Sequence, residues 1–274
     1  MNKSDSFSIA RLWRMIILTI TENRHSILLQ LGVMIGITAV IVAFYTVADN
    51  PDRYVRQAQQ ALSSDTDLLW SDLWGLYCLT LTGFSCISAS FTAGFMSSKE
   101  KRLNTLMIPA TIAEKFLARW IIYTLSVYVL FTLTYICIDY LRVLILNYIY
   151  ADVNHTPILP LVQSIPHYYN KYSDFNPFHV IPPIIFAVQS FFVLGSTIWP
   201  KNSFIKTFVI GGAATLCVIF ITVAYAHELT FGYFDLNEHT SPTLFVNLIA
   251  AFTYLYTTIL AYFRFRSSEI ILKW

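Results

Sequence analysis

The stretch that decides the fold is Ile27-Leu-Leu-Gln-Leu-Gly-Val-Met-Ile-Gly-Ile-Thr-Ala-Val-Ile-Val-Ala-Phe-Tyr-Thr-Val-Ala48, an uncharged run bounded by Arg24 on one side and Asp49 on the other. A helix needs about 20 mostly apolar residues to cross a hydrocarbon core of roughly 30 Å, and this run meets that need. Five more segments of the same character follow, so the expected spans lie at about 27–48, 73–98, 116–148, 180–199, 207–226 and 243–263. The whole composition agrees: 56% of the 274 residues are hydrophobic and 12% charged, and mean hydropathy is +0.57. Such a chain does not present a water-facing surface. Closed barrels satisfy the backbone in lipid by another route, but the strand-like alternation they require is absent. The expected fold class is therefore all-α: a polytopic membrane helix bundle forming one transmembrane domain over 1–274.

Charge sets the expected orientation, because Lys and Arg in short loops stay on the cytoplasmic side. Lys3, Arg11, Arg14, Arg24, Lys99, Lys101, Arg102, Lys115, Arg119, Lys201, Lys206, Arg264, Arg266 and Lys273 fall on one side of a six-span arrangement, against Arg53, Arg56 and Lys171 on the other. Both termini are expected in the cytoplasm. The 18 basic and 16 acidic residues nearly cancel, which leaves no basic domain for nucleic acid.

The N-terminal segment does not read as a signal peptide, since no small-residue cleavage site follows its apolar residues. Ile9, Leu12, Trp13, Ile16, Ile17 and Ile20 recur at three- and four-residue steps, with Arg11 and Arg14 off that stripe. The pattern predicts an amphipathic helix over 8–22 lying in the inner interface, with Arg11, Trp13 and Arg14 as its interfacial residues. The plainer alternative is a frayed basic tail that only orients insertion.

Chemistry-bearing motifs are scarce. No Walker A loop, nucleotide-binding glycine fingerprint, G-x-S-x-G elbow or H-E-x-x-H pair occurs in the chain, so the expectation is a non-enzyme with no catalytic residue. Cys78, Cys86, Cys137 and Cys217 all lie in apolar runs and read as packing residues. His155, His167, His179, His227, Glu228, Glu238 and His239 gather around outer segments, but none of their spacings dictates convergence; no metal and no cofactor is expected. Asp139 and Arg142, three apart, are expected to share a face and neutralise one another, either as a coupling pair or, more simply, snorkelling toward outer headgroups. The Pro182-Pro183 pair is expected to break the fourth span. Gly32 with Gly36, and Cys78, Thr82, Ser85, Ala89 and Thr92, mark small-residue faces that serve as internal packing, a homodimer seam or a translocation lining. The outer loop at 151–177, rich in Pro and Tyr, reads as a lid.

The segment 98–115 carries the functional reading. Ser98 caps a short helix in which Lys99, Lys101 and Arg102 stand beside Leu103, Leu106 and Met107, and Pro109 ends it. Thr111 and Glu114 then form a T-x-x-E capping box that restarts the chain as the base of the third span. Its simplest role is a positive turn that holds topology.

Together, an N-terminal interfacial helix, six spans and a short helix in the loop after the second span resemble a permease subunit of the ATP-binding-cassette (ABC) type-2 class. The wording Ser98-Lys-Glu-Lys-Arg-Leu-Asn-Thr-Leu-Met-Ile-Pro-Ala-Thr-Ile-Ala-Glu-Lys-Phe116 is similar to a loop of small bacterial permease-like proteins, many of Bacteroidetes type. The resemblance implies a multi-pass protein of the bacterial inner membrane, acting as an exporter subunit. It would be driven by a separate cytoplasmic ABC ATPase and paired as a homodimer or with a paralogous permease. It makes Lys99, Lys101, Arg102, Leu103, Leu106 and Met107 the expected ATPase contacts. The alternative is a membrane scaffold or sensor whose basic inner loop binds another cytoplasmic partner.

Overall fold

The computed structural model describes residues 7–48, 67–149, 177–214 and 242–271. These residues are 90% helical and contain no strand. The helices are α1 (Ile9–Glu22), α2 (Arg24–Ala48), α3 (Asp67–Ala89), α4 (Lys99–Met107), α5 (Ile112–Trp120), α6 (Ser126–Ile149), α7 (Pro177–Ile198), α8 (Ser203–Ala214) and α9 (Pro242–Ile271). Among the described residues, four segments are long and apolar enough to cross a membrane: Arg24–Phe44, Ile112–Leu146, Ile181–Ile198 and Val246–Ser267. This is a multi-pass membrane protein built as a helix bundle. The apolar helices Trp74–Ala89 and Ser203–Ala214 are shorter.

Several boundaries differ from the sequence expectation. The second apolar run was expected to continue to 98, yet α3 stops at Ala89 and a turn leads into a 3-10 helix at Gly94–Ser97. The hydroxyls of Ser90, Thr92 and Ser97 each bond a carbonyl three or four residues back. They compete with helical pairing, and the backbone tightens to three-residue bonds such as Phe91 N–H to Ser88 C=O and Gly94 N–H to Phe91 C=O. The Pro182-Pro183 pair does not break α7, which runs through both residues. α8 begins before 207, and the remainder of that expected span, 215–226, lies outside the described residues. So do most of the outer loop, 151–176, and His155, His167, His227, Glu228, Glu238 and His239.

Two apolar clusters hold the bundle. One joins Met34 and Val42 of α2, Tyr77, Leu81 and Phe84 of α3, Phe131 and Tyr135 of α6, and Ile185 of α7. The rings interlock edge-on or tilted, as between Tyr77 and Tyr135 at 4.9 Å and Phe84 and Phe131 at 5.8 Å, the arrangements that aromatic quadrupoles favour. The other joins Cys86, Ala89, Ala93 and Met96 to Phe116 of α5, Phe192 and Val193 of α7, and Ala261 and Phe265 of α9. Because α4 leaves the bundle beside this second cluster, we call that side the loop end and the other the far end. Outward faces are apolar, as at Val40 and Phe44, Leu141 and Leu144, and Phe252 and Ile259, which suits lipid.

α7 and α8 reverse direction through a tight turn at Trp199 to Asn202. Asn202 adopts φ 56° and is the one non-glycine residue with positive φ among the described residues; asparagine tolerates this left-handed conformation better than most side chains. Gly195 lets the two helices close. A Cβ built there would stand 2.8 Å from the Thr207 Cβ, with Thr207 Oγ1 nearer still.

Candidate functional site

The loop end is organised around one carboxylate. Glu114, fully buried, sits in the first turn of α5. Its Oε2 accepts the Thr111 N–H at 2.9 Å, and its own N–H reaches Thr111 Oγ1 at 3.3 Å. The capping box expected from T-x-x-E is thus present. The same carboxylate also serves α1: Glu114 Oε1 accepts the N–H of Ser8, the N-cap residue of α1, at 2.7 Å, and lies 3.2 Å from Arg11 Nη2. One negative group therefore faces the N-termini of two helices, where unpaired N–H groups and the macrodipole favour it.

α1 splits into two faces as a result. Arg11, Met15 and Thr19, one helical turn apart from each other, face α5, and Met15 and Thr19 are buried. Ile9, Trp13, Ile17 and Ile20 form the opposite, exposed apolar stripe, and Arg14 is exposed beside it. Arg11 is therefore committed to an internal ion pair, while Trp13 and Arg14 face outward.

A second basic residue fixes α4. Arg119 of α5 is buried; its Nη2 donates to Thr105 Oγ1 at 3.1 Å, and its guanidinium carbon stands 3.5 Å from the Phe95 ring centroid. Arg102 reaches back so that its Nε donates to the Met96 carbonyl at 2.6 Å. Hydrogen bonds from charged donors and a cation over an aromatic face are among the stronger polar contacts a loop can make. Ser98 precedes the helix, and its carbonyl accepts the Arg102 N–H at 3.2 Å.

Held in this way, α4 turns Arg102 and Thr105 toward the bundle and leaves Leu103 59% and Met107 82% exposed on the other side. Leu103 and Met107 are one turn apart and share a face. The side chains of Lys99, Lys101 and Leu106 lie outside the described residues. Of the six residues singled out in this loop, Leu103 and Met107 are presented outward, and Arg102 is spent on holding the loop. Sequence reasoning missed Glu114 as a bridge to α1 and treated Arg119 as one more loop charge. The T-x-x-E spacing was the sole signal for the first, and nothing marked the second.

Deeper in the bundle, Asp139 and Arg142 pair as their spacing predicts, with Arg142 Nη2 and Nε at 2.7 and 2.9 Å from Asp139 Oδ1. Both side chains are buried, which corrects the expectation that they snorkel to headgroups. The ion pair is turned into the protein beside Tyr135, away from lipid, the usual solution for charge at membrane depth. Among the described residues, no three His, Cys, Asp or Glu side chains gather to hold a metal ion.

No protein-family model, curated protein or solved structure matches this chain.

Proposed function

We propose that the protein is the membrane-spanning permease subunit of an ATP-driven exporter and that α4 is the helix through which a separate cytoplasmic ATPase drives it. The observation that carries this reading is the construction of α4. A nine-residue helix is anchored on its back by Arg119, Thr105 and Arg102, and it presents Leu103 and Met107 where the bundle does not cover them. A helix meant only to turn the chain has no need of buried charge-assisted anchors. One meant to transmit force needs a stiff mounting and an apolar contact face.

The loop end is cytoplasmic in this reading, by the concentration of Lys and Arg there, and the protein lies in the bacterial inner membrane with six spans. The exposed apolar stripe of α1 rests in the inner interface, with Trp13 and Arg14 at its boundary. Arg11 and Glu114 tie that helix to the base of α5, directly after α4. A second permease copy, or a paralogue, completes the pathway.

The test is copurification. The tagged protein, extracted in mild detergent from its own cell, brings down a P-loop ATPase, and Leu103→Glu with Met107→Glu removes that ATPase while the protein still inserts and elutes as a single species. Undiminished ATPase recovery with the double variant would refute the docking role of α4.

A further inference from the structure

Between the two apolar clusters the bundle carries a polar level that the loop-end reading does not use. Ser85 and Ser88 of α3 are each 0% exposed, and Gln189 of α7 is 1% exposed. In sequence they fall where the clusters change over. Ser85 lies between Phe84 of the far-end cluster and Cys86 of the loop-end cluster, Ser88 follows one turn on, beside Ala89, and Gln189 lies between Ile185 and Phe192. α3 packs on both α7 and the turn at Ile121–Leu125, and Cys86 and Ala89 of α3 share a cluster with Phe192 and Val193 of α7.

Hydroxyls in membrane helices ordinarily satisfy themselves on a carbonyl of the preceding turn. Thr80 and Thr82 on this same helix do so, as does Ser90 just past its end. Ser85 Oγ and Ser88 Oγ do not, and neither has a protein partner. Gln189 Nε2 donates to the Thr124 carbonyl at 3.4 Å, while Gln189 Oε1 is also without a protein partner. Thr124 belongs to a π-helical turn, Ile121–Leu125, inserted between α5 and α6. Such turns widen the backbone ring and occur frequently at functional sites. By contrast, the neighbouring Ser190 and Thr257 hydroxyls satisfy each other at 2.5 Å.

An unpaired buried polar atom destabilises the packing that holds it, and three at one level are costly unless they have work to do. Their chemistry restricts that work. Two hydroxyls donate and accept, and one amide oxygen accepts. Among these groups there is no formal charge, and none of them is a soft metal ligand.

We propose that Ser85, Ser88 and Gln189 form a binding site within the membrane for an uncharged, hydrogen-bonding group of the hydroxyl or amide class. The inference is independent of the ATPase reading, because it rests on other residues and predicts a property of this chain alone.

The test uses thiol chemistry in the intact protein with Cys78, Cys86, Cys137 and Cys217 replaced by alanine. A thiol in dry apolar packing stays protonated and inert, whereas one in a hydrogen-bonding, solvated setting ionises and reacts. Ser85→Cys, Ser88→Cys and, as the apolar control, Leu81→Cys are treated with 2-hydroxyethyl methanethiosulfonate, which carries the proposed ligand chemistry. Propyl methanethiosulfonate, of similar size, and the trimethylammonium-ethyl reagent serve for comparison. The two serine positions are expected to react with the hydroxyethyl reagent about tenfold faster than Leu81→Cys. They should also react faster with it than with the propyl or the cationic reagent, and Gln189→Leu in the Ser88→Cys background should slow the reaction. Gel filtration confirms folding of each variant, and either serine position suffices if the other misfolds. Rates equal to Leu81→Cys, or propyl labelling as fast as hydroxyethyl labelling, would show a dry packing layer and overturn the site. Cationic labelling as fast as hydroxyethyl would overturn the assignment to uncharged groups.

Discussion

Arg11 and Glu114 stand 3.2 Å apart although more than a hundred residues of chain separate them, and the Glu114 carboxylate is fully buried. This pair makes α1 part of the loop-end mounting. A motion of α4 and α5 must either carry α1 with it or break a contact in which Glu114 also caps both helices.

The first prediction concerns that contact. Glu114→Ala removes the acceptor for the Ser8 and Thr111 N–H groups as well as the ion pair. Loss of a cap costs about 1 kcal/mol, and the orphaned buried N–H groups add to it. A total near 2–3 kcal/mol follows, moderated because Arg11 is partly exposed and can turn to solvent. Thermal unfolding in detergent should show the loss, and limited proteolysis should release the N-terminal segment earlier than in the parent. Unchanged proteolysis of α1 would mean that other contacts hold it.

Arg119 is expected to matter through α4, not through the span it begins. Arg119→Lys keeps the charge but loses the planar guanidinium that lies over Phe95 and reaches Thr105, a substitution that is not conservative at a stacked site. Backbone hydrogen exchange over Lys99–Met107 should accelerate, with the exchange of α7 unchanged. Thr105→Val should produce a weaker form of the same effect. Equal exchange across α4 in both variants would remove the anchoring role.

For the buried ion pair, Asp139→Asn leaves Arg142 without its counter-charge inside the bundle and should cost about 3–5 kcal/mol. Replacing both, Asp139→Leu with Arg142→Met, should recover most of that loss, since an apolar pair of similar size replaces the ion pair without an unpaired charge. A double variant as unstable as the single one would show that each residue has a separate partner of greater weight.

Gly195→Ala tests the closest helix approach. The new methyl meets Thr207 at its backbone-proximal Cβ, so α8 must shift. Overpacking of this kind costs about 1–3 kcal/mol. Adding Thr207→Gly should relieve the clash, and full stability of Gly195→Ala alone would show that the two helices separate freely.

Much of this organisation was legible in the residues themselves. The capping box at Thr111 and Glu114, the end of α4 before Pro109 and the pairing of Asp139 with Arg142 are all short-range events, fixed within one or two helical turns. What escaped was tertiary. The reach of Glu114 to Ser8 and Arg11, and of Arg119 to Thr105 and Phe95, depends on which helices become neighbours, and periodicity carries no such information. The long apolar run through Phe91 to Met96 concealed the end of α3, because hydropathy does not register hydroxyls that take the carbonyls a continuing helix would need. Ser85 stood out only as one of a face of small residues, and Ser88 not at all. Their distinction from Thr82 or Ser90 lies in which hydroxyls back-bond.

The central claim, that α4 is the docking helix for a motor subunit, is tested most directly by a photoreactive benzoylphenylalanine at position 107, activated in living cells. Met107 is 82% exposed on α4, so a docked partner lies within reach of it. The account predicts a covalent adduct with a single P-loop ATPase, absent when the same group is placed at lipid-exposed position 140. Adducts with lipid alone, or with proteins that include no ATPase, would contradict it.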